Sequence, residues 1–164
     1  MKTVCSQSID VRVPVGPVFA FAADVTRWPL WFSFVVSAQQ PDRHELQFGE
    51  EVHLCMREGR RRWQEDFEVT RYVRNAFLWL EGALSASRRI DLRFEQRTDC
   101  TRVVCGIAYP VFGGWLSQAG DTLLRKPRLA AELRNSLVHL KSVIEDAHQG
   151  VEAESLGTRE PLFV

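Results

Sequence analysis

Hydrophobic and polar positions alternate along the chain as far as Tyr109, and after that the period changes. Cys5, Gln7, Ile9, Val11 and Val13 share one side of a strand read over Thr3 to Val13. Pro14 and Pro17 suit a helix entry, where a missing N–H costs little. Val18, Phe19, Phe21 and Ala22 give that short helix an apolar face, and Asp24 marks its end. Thr26 is the expected N-cap of a second short helix carrying Trp28 and Trp31, with Pro29 in its first turn.

Ser33 to Gln39 reads as the second strand and Pro41 to His44 as a loop. Glu50 to Arg57 places Val52, Leu54 and Met56 on one side, and Glu58-Gly59 signals a hairpin. Arg62 to Tyr72 places Trp63, Glu65, Phe67 and Val69 on one side and polar residues on the other. Arg74-Asn75 turns into an apolar strand, Ala76 to Glu81. Arg88 to Gln96 alternates through Ile90, Leu92 and Phe94; Thr98-Asp99 turns the chain; Thr101 to Tyr109 is the last strand. The connections are short, so the strands pair antiparallel.

Pro110 and Gly113-Gly114 break the sheet. From Trp115 to His148, Leu116, Leu123, Ala130, Leu133, Leu137, Leu140 and Ile144 recur at helical spacing. Pro127 is expected to kink or break this helix, and Gly150 to stop it. The domain therefore runs over residues 1–149, and 150–164, without periodicity, reads as a mobile tail.

A twisted antiparallel sheet curls, and its concave face must be covered. One long helix covers part of it, and the uncovered volume is a cavity lined by inward alternate residues. On this register they are Val52, Leu54, Met56, Trp63, Glu65, Phe67, Trp79, Leu92, Phe94, Val103, Cys105, Ile107 and Tyr109. Leu123, Pro127, Ala130 and Leu137 face them from the helix. The competing expectation is that these side chains fill the space completely.

Charge narrows the partners. The 164 residues carry 21 basic and 21 acidic side chains, a net charge of zero. That argues against nucleic acid or an anionic membrane as the main partner. Arg60-Arg61-Arg62 is a local basic cluster, read as a solvated hairpin turn. No N-terminal apolar h-region is visible and no apolar run is long enough to span a bilayer, so the expected location is the cytoplasm. The four cysteines, Cys5, Cys55, Cys100 and Cys105, form no CxxC pair and read as thiols rather than as a zinc site.

Several segments together resemble a known family. They are Ile9 to Phe19, Asp24 with Trp28-Pro29-Leu30-Trp31, Phe67 to Tyr72, Thr101 to Val104, and Leu137 to Glu145. In this order they resemble the START-like (Bet v1-like, SRPBCC) helix-grip superfamily, and within it the bacterial polyketide cyclase/dehydrase and lipid-transport branch. The resemblance implies an α+β fold: a seven-stranded curved antiparallel sheet wrapped around a long C-terminal helix, with two short helices after the first strand. It implies binding of a lipid, polyketide or other apolar small molecule, and it does not by itself imply catalysis.

Candidate ligand-binding residues are Met56, Trp63, Glu65, Phe67, Trp79, Phe94, Cys105, Tyr109, Leu123 and Pro127. Glu65 is the unusual one. A carboxyl group between Trp63 and Phe67 is a candidate acid/base or a hold for a ligand's polar end; its bland alternatives are a bulge, a pairing arginine or a place on the open rim. Tyr109 could hydrogen-bond a ligand at the mouth, or simply cap the core. Cys105 has no activating neighbour. His44 falls in a loop, His53 faces outward, His139 lies off the apolar stripe, and His148 sits at the helix end; no pair has metal-ligand spacing. No metal and no cofactor is expected, and no glycine-rich phosphate loop is present. Trp28, Trp31, Phe32 and Phe34 either pack the short helices or form an apolar gate or partner patch. The readings are therefore a carrier of a hydrophobic small molecule, a cyclase/aromatase-type enzyme using Glu65, or a protein-interaction module.

Overall fold

A computed structural model describes residues 2–42, 45–84, 88–111 and 113–157. His44 lies outside the described residues, as does the chain after Gly157. The elements run β1 (Lys2–Val11), α1 (Val15–Ala22), a 3-10 turn (Val25–Arg27), α2 (Trp28–Trp31) and β2 (Val35–Gln39). Then come β3 (Glu51–Glu58), β4 (Arg61–Val73), β5 (Phe77–Gly82), β6 (Arg89–Gln96) and β7 (Thr101–Pro110). A final helix comprises α3 (Trp115–Gly120), a π-helical turn (Asp121–Arg125) and α4 (Lys126–Gly157).

The strands form one seven-stranded antiparallel sheet in the order β1-β7-β6-β5-β4-β3-β2. It curls into a half-barrel around α4, the α+β helix-grip architecture. Alternation decides the faces: Val52, Leu54 and Met56 on β3, Phe67 and Val69 on β4, and Ile90, Leu92 and Phe94 on β6 are all buried. Leu133, Leu137 and Leu140 of α4 are fully buried against them. Lys141 Nζ donates to the Asp10 carbonyl at 2.8 Å, and the Arg12 amide donates to Glu145 Oε1 at 2.8 Å; both contacts tie α4 to the β1 end.

The local chemistry of the N-terminal bracket follows from its residues. Gln96 Oε1 accepts from the Val15 amide at 2.8 Å, which satisfies one free donor at the start of α1. Asp24, not Thr26, caps the 3-10 turn: its carboxylate accepts from the Thr26 amide at 3.1 Å. Thr26 Oγ1 donates to the same oxygen at 2.5 Å. Trp28 and Trp31 are buried, and Trp31 stacks on Phe32 at 4.9 Å. Trp28, Trp31 and Phe32 are therefore packing and not an exposed gate or partner patch. Ser33 precedes β2, because its amide and hydroxyl turn to Ser136 on α4 instead of to a strand.

The final helix differs from expectation at three places. Pro127 neither breaks nor sharply ends it; a π turn precedes the proline. Proline lacks an N–H and its ring crowds the carbonyl four residues back, and a widened turn absorbs both problems. The extra residue rotates everything upstream. Asp121, Arg125 and Leu129 face the sheet, whereas Leu123 is 73% exposed and Pro127 is also on the outer face. The helix also runs through Gly150 to Gly157, so the boundary expected at 149 falls inside it. His148 consequently lies within the helix and pairs with Glu152 at 3.3 Å, one turn on.

Trp79 does not face the concave side of the sheet. On β5 the buried residues are Leu78, Leu80 and Gly82, so Trp79 points to the convex face. There Arg71 lies 5.0 Å and Arg89 5.1 Å from its ring centroid. Neighbouring Asp91 is held by Arg89 at 3.1 Å, and Gly106 stands opposite with no side chain to obstruct it.

Candidate functional site

A cavity of about 180 Å³ lies between the sheet and the N-terminal half of the final helix. Phe34, Met56, Trp63, Ile107, Tyr109 and Leu129 give it an apolar, largely aromatic wall. Glu58, Arg61, Arg88 and Arg125 supply the polar end. The β3–β4 hairpin brings Glu58, Arg61 and Trp63 together, β7 brings Ile107 and Tyr109, and the π turn delivers Arg125.

The polar end is a linked set of ion pairs. Arg125 donates to both Glu58 oxygens at 2.7 Å and lies 3.7 Å from Asp121. Its guanidinium sits 4.3 Å from the Tyr109 ring centroid, and the Tyr109 hydroxyl donates to Asp121 Oδ2 at 3.3 Å. Burial, with the Asp121 charge second, pushes the Tyr109 hydroxyl up to about 12. Tyr109 is thus a neutral donor at any physiological pH.

Glu65 is almost completely buried, 3% exposed. Its Oε2 accepts from Arg88 Nη1 at 2.5 Å and from Trp63 Nε1 at 3.2 Å. Its Oε1 is buried with no hydrogen-bond partner among the described residues. Trp63 and Arg88 line the cavity, and Glu65 stands behind them. Of the alternatives open for this residue, the pairing arginine is the one realised. Arg88 lies 5.3 Å and Arg61 5.9 Å from the Trp63 ring centroid, so this tryptophan carries two guanidinium groups.

Of the sequence candidates, Met56, Trp63 and Tyr109 line the cavity, and Glu65 positions Arg88 in its wall. Phe67, Phe94 and Cys105 are buried in the core; Phe94 packs edge-on against Phe19 at 5.0 Å. Desolvation raises the Cys105 thiol well above its ordinary value, which keeps it protonated and inert. Trp79, Leu123 and Pro127 point away. Arg61, Arg88 and Arg125 were missed as site residues. A charge next to a turn reads as solvated, and no periodicity reports that it folds back over an aromatic ring. Among the described residues no group of three or more His, Cys, Asp or Glu could hold a metal ion, and no helix is long and apolar enough to cross a membrane.

A second, larger cleft of about 1030 Å³ opens at the other end of the sheet, between α1 and the β4–β5 turn. Phe19, Ala20, Ala23 and Leu46 form its floor, and Asp24, Glu45, Tyr72 and Arg74 its rim. Arg74 Nε donates to Glu45 at 3.1 Å and the Tyr72 hydroxyl donates to the same carboxylate. Those bonds hold the Glu45 carboxyl below its usual range, with Arg74 the larger cause. Trp63 and Tyr72 are nine residues apart on β4, so the two sites are separated by roughly 30 Å.

Solved structures share the fold. A protein from Deinococcus radiodurans superposes with a TM-score of 0.65 at 16% identity, covering 88% of this chain and 99% of its own. A protein of unknown function from Staphylococcus aureus gives 0.71 at 9% identity, covering 91% and 97%. DynU16, from the dynemicin biosynthetic locus, gives 0.60 at 15% identity, covering 87% of this chain and 47% of its own. No curated protein matches the sequence at a significant level. The family model described as polyketide cyclase / dehydrase and lipid transport matches residues 2–145, and the chain belongs to that family.

Proposed function

We propose that the protein binds a hydrophobic small molecule in the cavity between the sheet and the final helix. The observation that carries this reading is the aromatic wall of Phe34, Trp63 and Tyr109 beside about 180 Å³ of space, with guanidinium groups at one end. An apolar cavity of ~150 Å³ already accepts benzene, so the space suits a ligand, or a ligand segment, the size of one ring. Burying ~150 Å² of such a ring contributes about 4 kcal/mol, which alone corresponds to roughly millimolar affinity. Hydrogen bonds donated by Arg88 or Arg125, or accepted by the Tyr109 hydroxyl, would supply the rest and orient the ligand. The family membership and the fold of DynU16 are consistent with this class of ligand.

The cyclase-type reading with Glu65 as acid or base draws less support. The carboxylate is engaged by Arg88 and Trp63 and does not line the cavity. The interaction-module reading loses its expected patch, since Trp28 and Trp31 are buried.

The test is native mass spectrometry of the purified protein, followed by analysis of an organic extract and titration with toluene and phenylacetamide. We expect a co-purifying apolar molecule, or saturable binding of the ring-sized probes. Ile107→Phe, which fills the cavity, should abolish that binding, and Ala20→Trp, which fills the open cleft, should not. The opposite pattern, or no binding of any kind, overturns the proposal.

A further inference from the structure

The neutral total of this chain conceals a segregation of charge and of apolar surface. Trp115, Leu116, Leu123 and Leu124 are 76, 67, 73 and 77% exposed. Four large apolar side chains within ten residues of one helix, all in water, are unlike the scattered single exposures elsewhere on the molecule. The same segment continues into Lys126 and Arg128, both exposed. Across from it stands the β3–β4 hairpin with Arg57, Arg60, Arg61 and Arg62.

These two stretches form one surface. Arg125 joins them through Glu58, and the Arg128 guanidinium reaches to within 3.4 Å of the Cβ position at Gly59 in the turn. Residues 57–62 and 115–128 together hold seven basic and two acidic side chains. The two acids within these stretches, Glu58 and Asp121, are both engaged by Arg125; Glu132, one turn beyond Arg128, borders the same groove and accepts from the Ser33 hydroxyl. The rest of the chain must therefore carry a net negative charge of five, because the total is zero.

From this arrangement we propose that the segment Trp115 to Arg128, with the adjoining hairpin, docks the protein on an anionic lipid surface. An interfacial helix needs leucines and a tryptophan to enter the headgroup–acyl boundary and basic groups beside them to meet anionic headgroups. A self-associating face of a second copy would bring a charge of five against an identical charge of five. A lipid surface presents the opposite sign. The segment also delivers Arg125 to the cavity wall, with Leu129 directly after it, so docking would set the cavity end of the molecule against the membrane.

The experiment is co-sedimentation of the full chain with phosphatidylcholine vesicles, with and without phosphatidylglycerol, at low and high salt. We expect binding only where phosphatidylglycerol is present, weakened by salt. Lys126→Gln with Arg128→Gln should weaken it by about 25-fold, roughly fivefold for each charge removed near the surface. Leu123→Ser with Leu124→Ser should abolish it; these side chains are exposed, and circular dichroism checks that the fold is retained. A blue shift of tryptophan emission on vesicles should disappear in Trp115→Ser. Equal binding to neutral vesicles, no binding to either, or a dimer in sedimentation velocity that requires Leu123 and Leu124 would each overturn the proposal. None of these outcomes bears on whether the cavity holds a ligand.

Discussion

Glu65→Gln separates a structural from a catalytic role for the buried carboxylate. The substitution keeps shape and volume and removes the charge. In the wild type the carboxylate accepts from Arg88 at 2.5 Å and from Trp63 at 3.2 Å. A hydrogen bond to a charged group contributes about 1.5–3 kcal/mol. The Arg88 side chain is 31% exposed, so water recovers part of what Arg88 loses and the low end of that range applies. The glutamine must also place two N–H donors where Oε1 has no partner. We expect a loss of about 2 kcal/mol, a fall in Tm of about 4–8 °C for a chain of this size. Thermal and urea unfolding measure it. Glu65→Leu combined with Arg88→Met should recover part of the loss, because an apolar pair has no charge left to desolvate while Trp63 Nε1 still gives up its acceptor. A Glu65→Gln protein with wild-type stability and no ligand binding or turnover would refute the reasoning and return Glu65 to a direct functional role.

Three further outcomes follow from single contacts. Gly106→Ala places a Cβ 2.7 Å from both Asp91 carboxylate oxygens, so stability should fall by about 1–3 kcal/mol in urea unfolding, and Asp91→Ala in the same chain should restore much of it. Asp66 raises the His53 pKa by a hydrogen bond at 2.5 Å; the pair therefore stabilises the fold fully below the unfolded value of about 6.5 and loses that contribution as pH rises through the elevated folded value. Asp66→Asn should lower the His53 midpoint in an NMR titration, and an unchanged midpoint would refute the pairing. Cys5 and Cys105 are buried with raised thiol pKa values, whereas Cys55 and Cys100 are half-buried; a thiol reagent should modify the latter pair first and reach Cys5 and Cys105 only on unfolding.

The alternation of apolar residues was enough to determine the strands, the inward faces of β3, β4 and β6, and the apolar stripe of α4 from Leu133 to Ile144. Each depends on a period that neighbours in sequence set by themselves. Trp79 escaped this logic because β5 is apolar on both faces and alternation carries no phase there; only the pairing with Arg71 and Asp91 decided its side. Leu123 and Pro127 escaped it because one π turn rotates the upstream helix, an adjustment that no periodic count contains. The cavity's polar end was the least legible part. Arg61, Arg88 and Arg125 come from a hairpin, a strand entry and a helix, and their guanidinium groups converge on Trp63 and Tyr109 only when the sheet curls. Composition set the total charge at zero, but the fold brought seven of the 21 basic side chains, from two distant stretches, onto one surface, because antiparallel pairing and helix packing place residues far apart in sequence side by side.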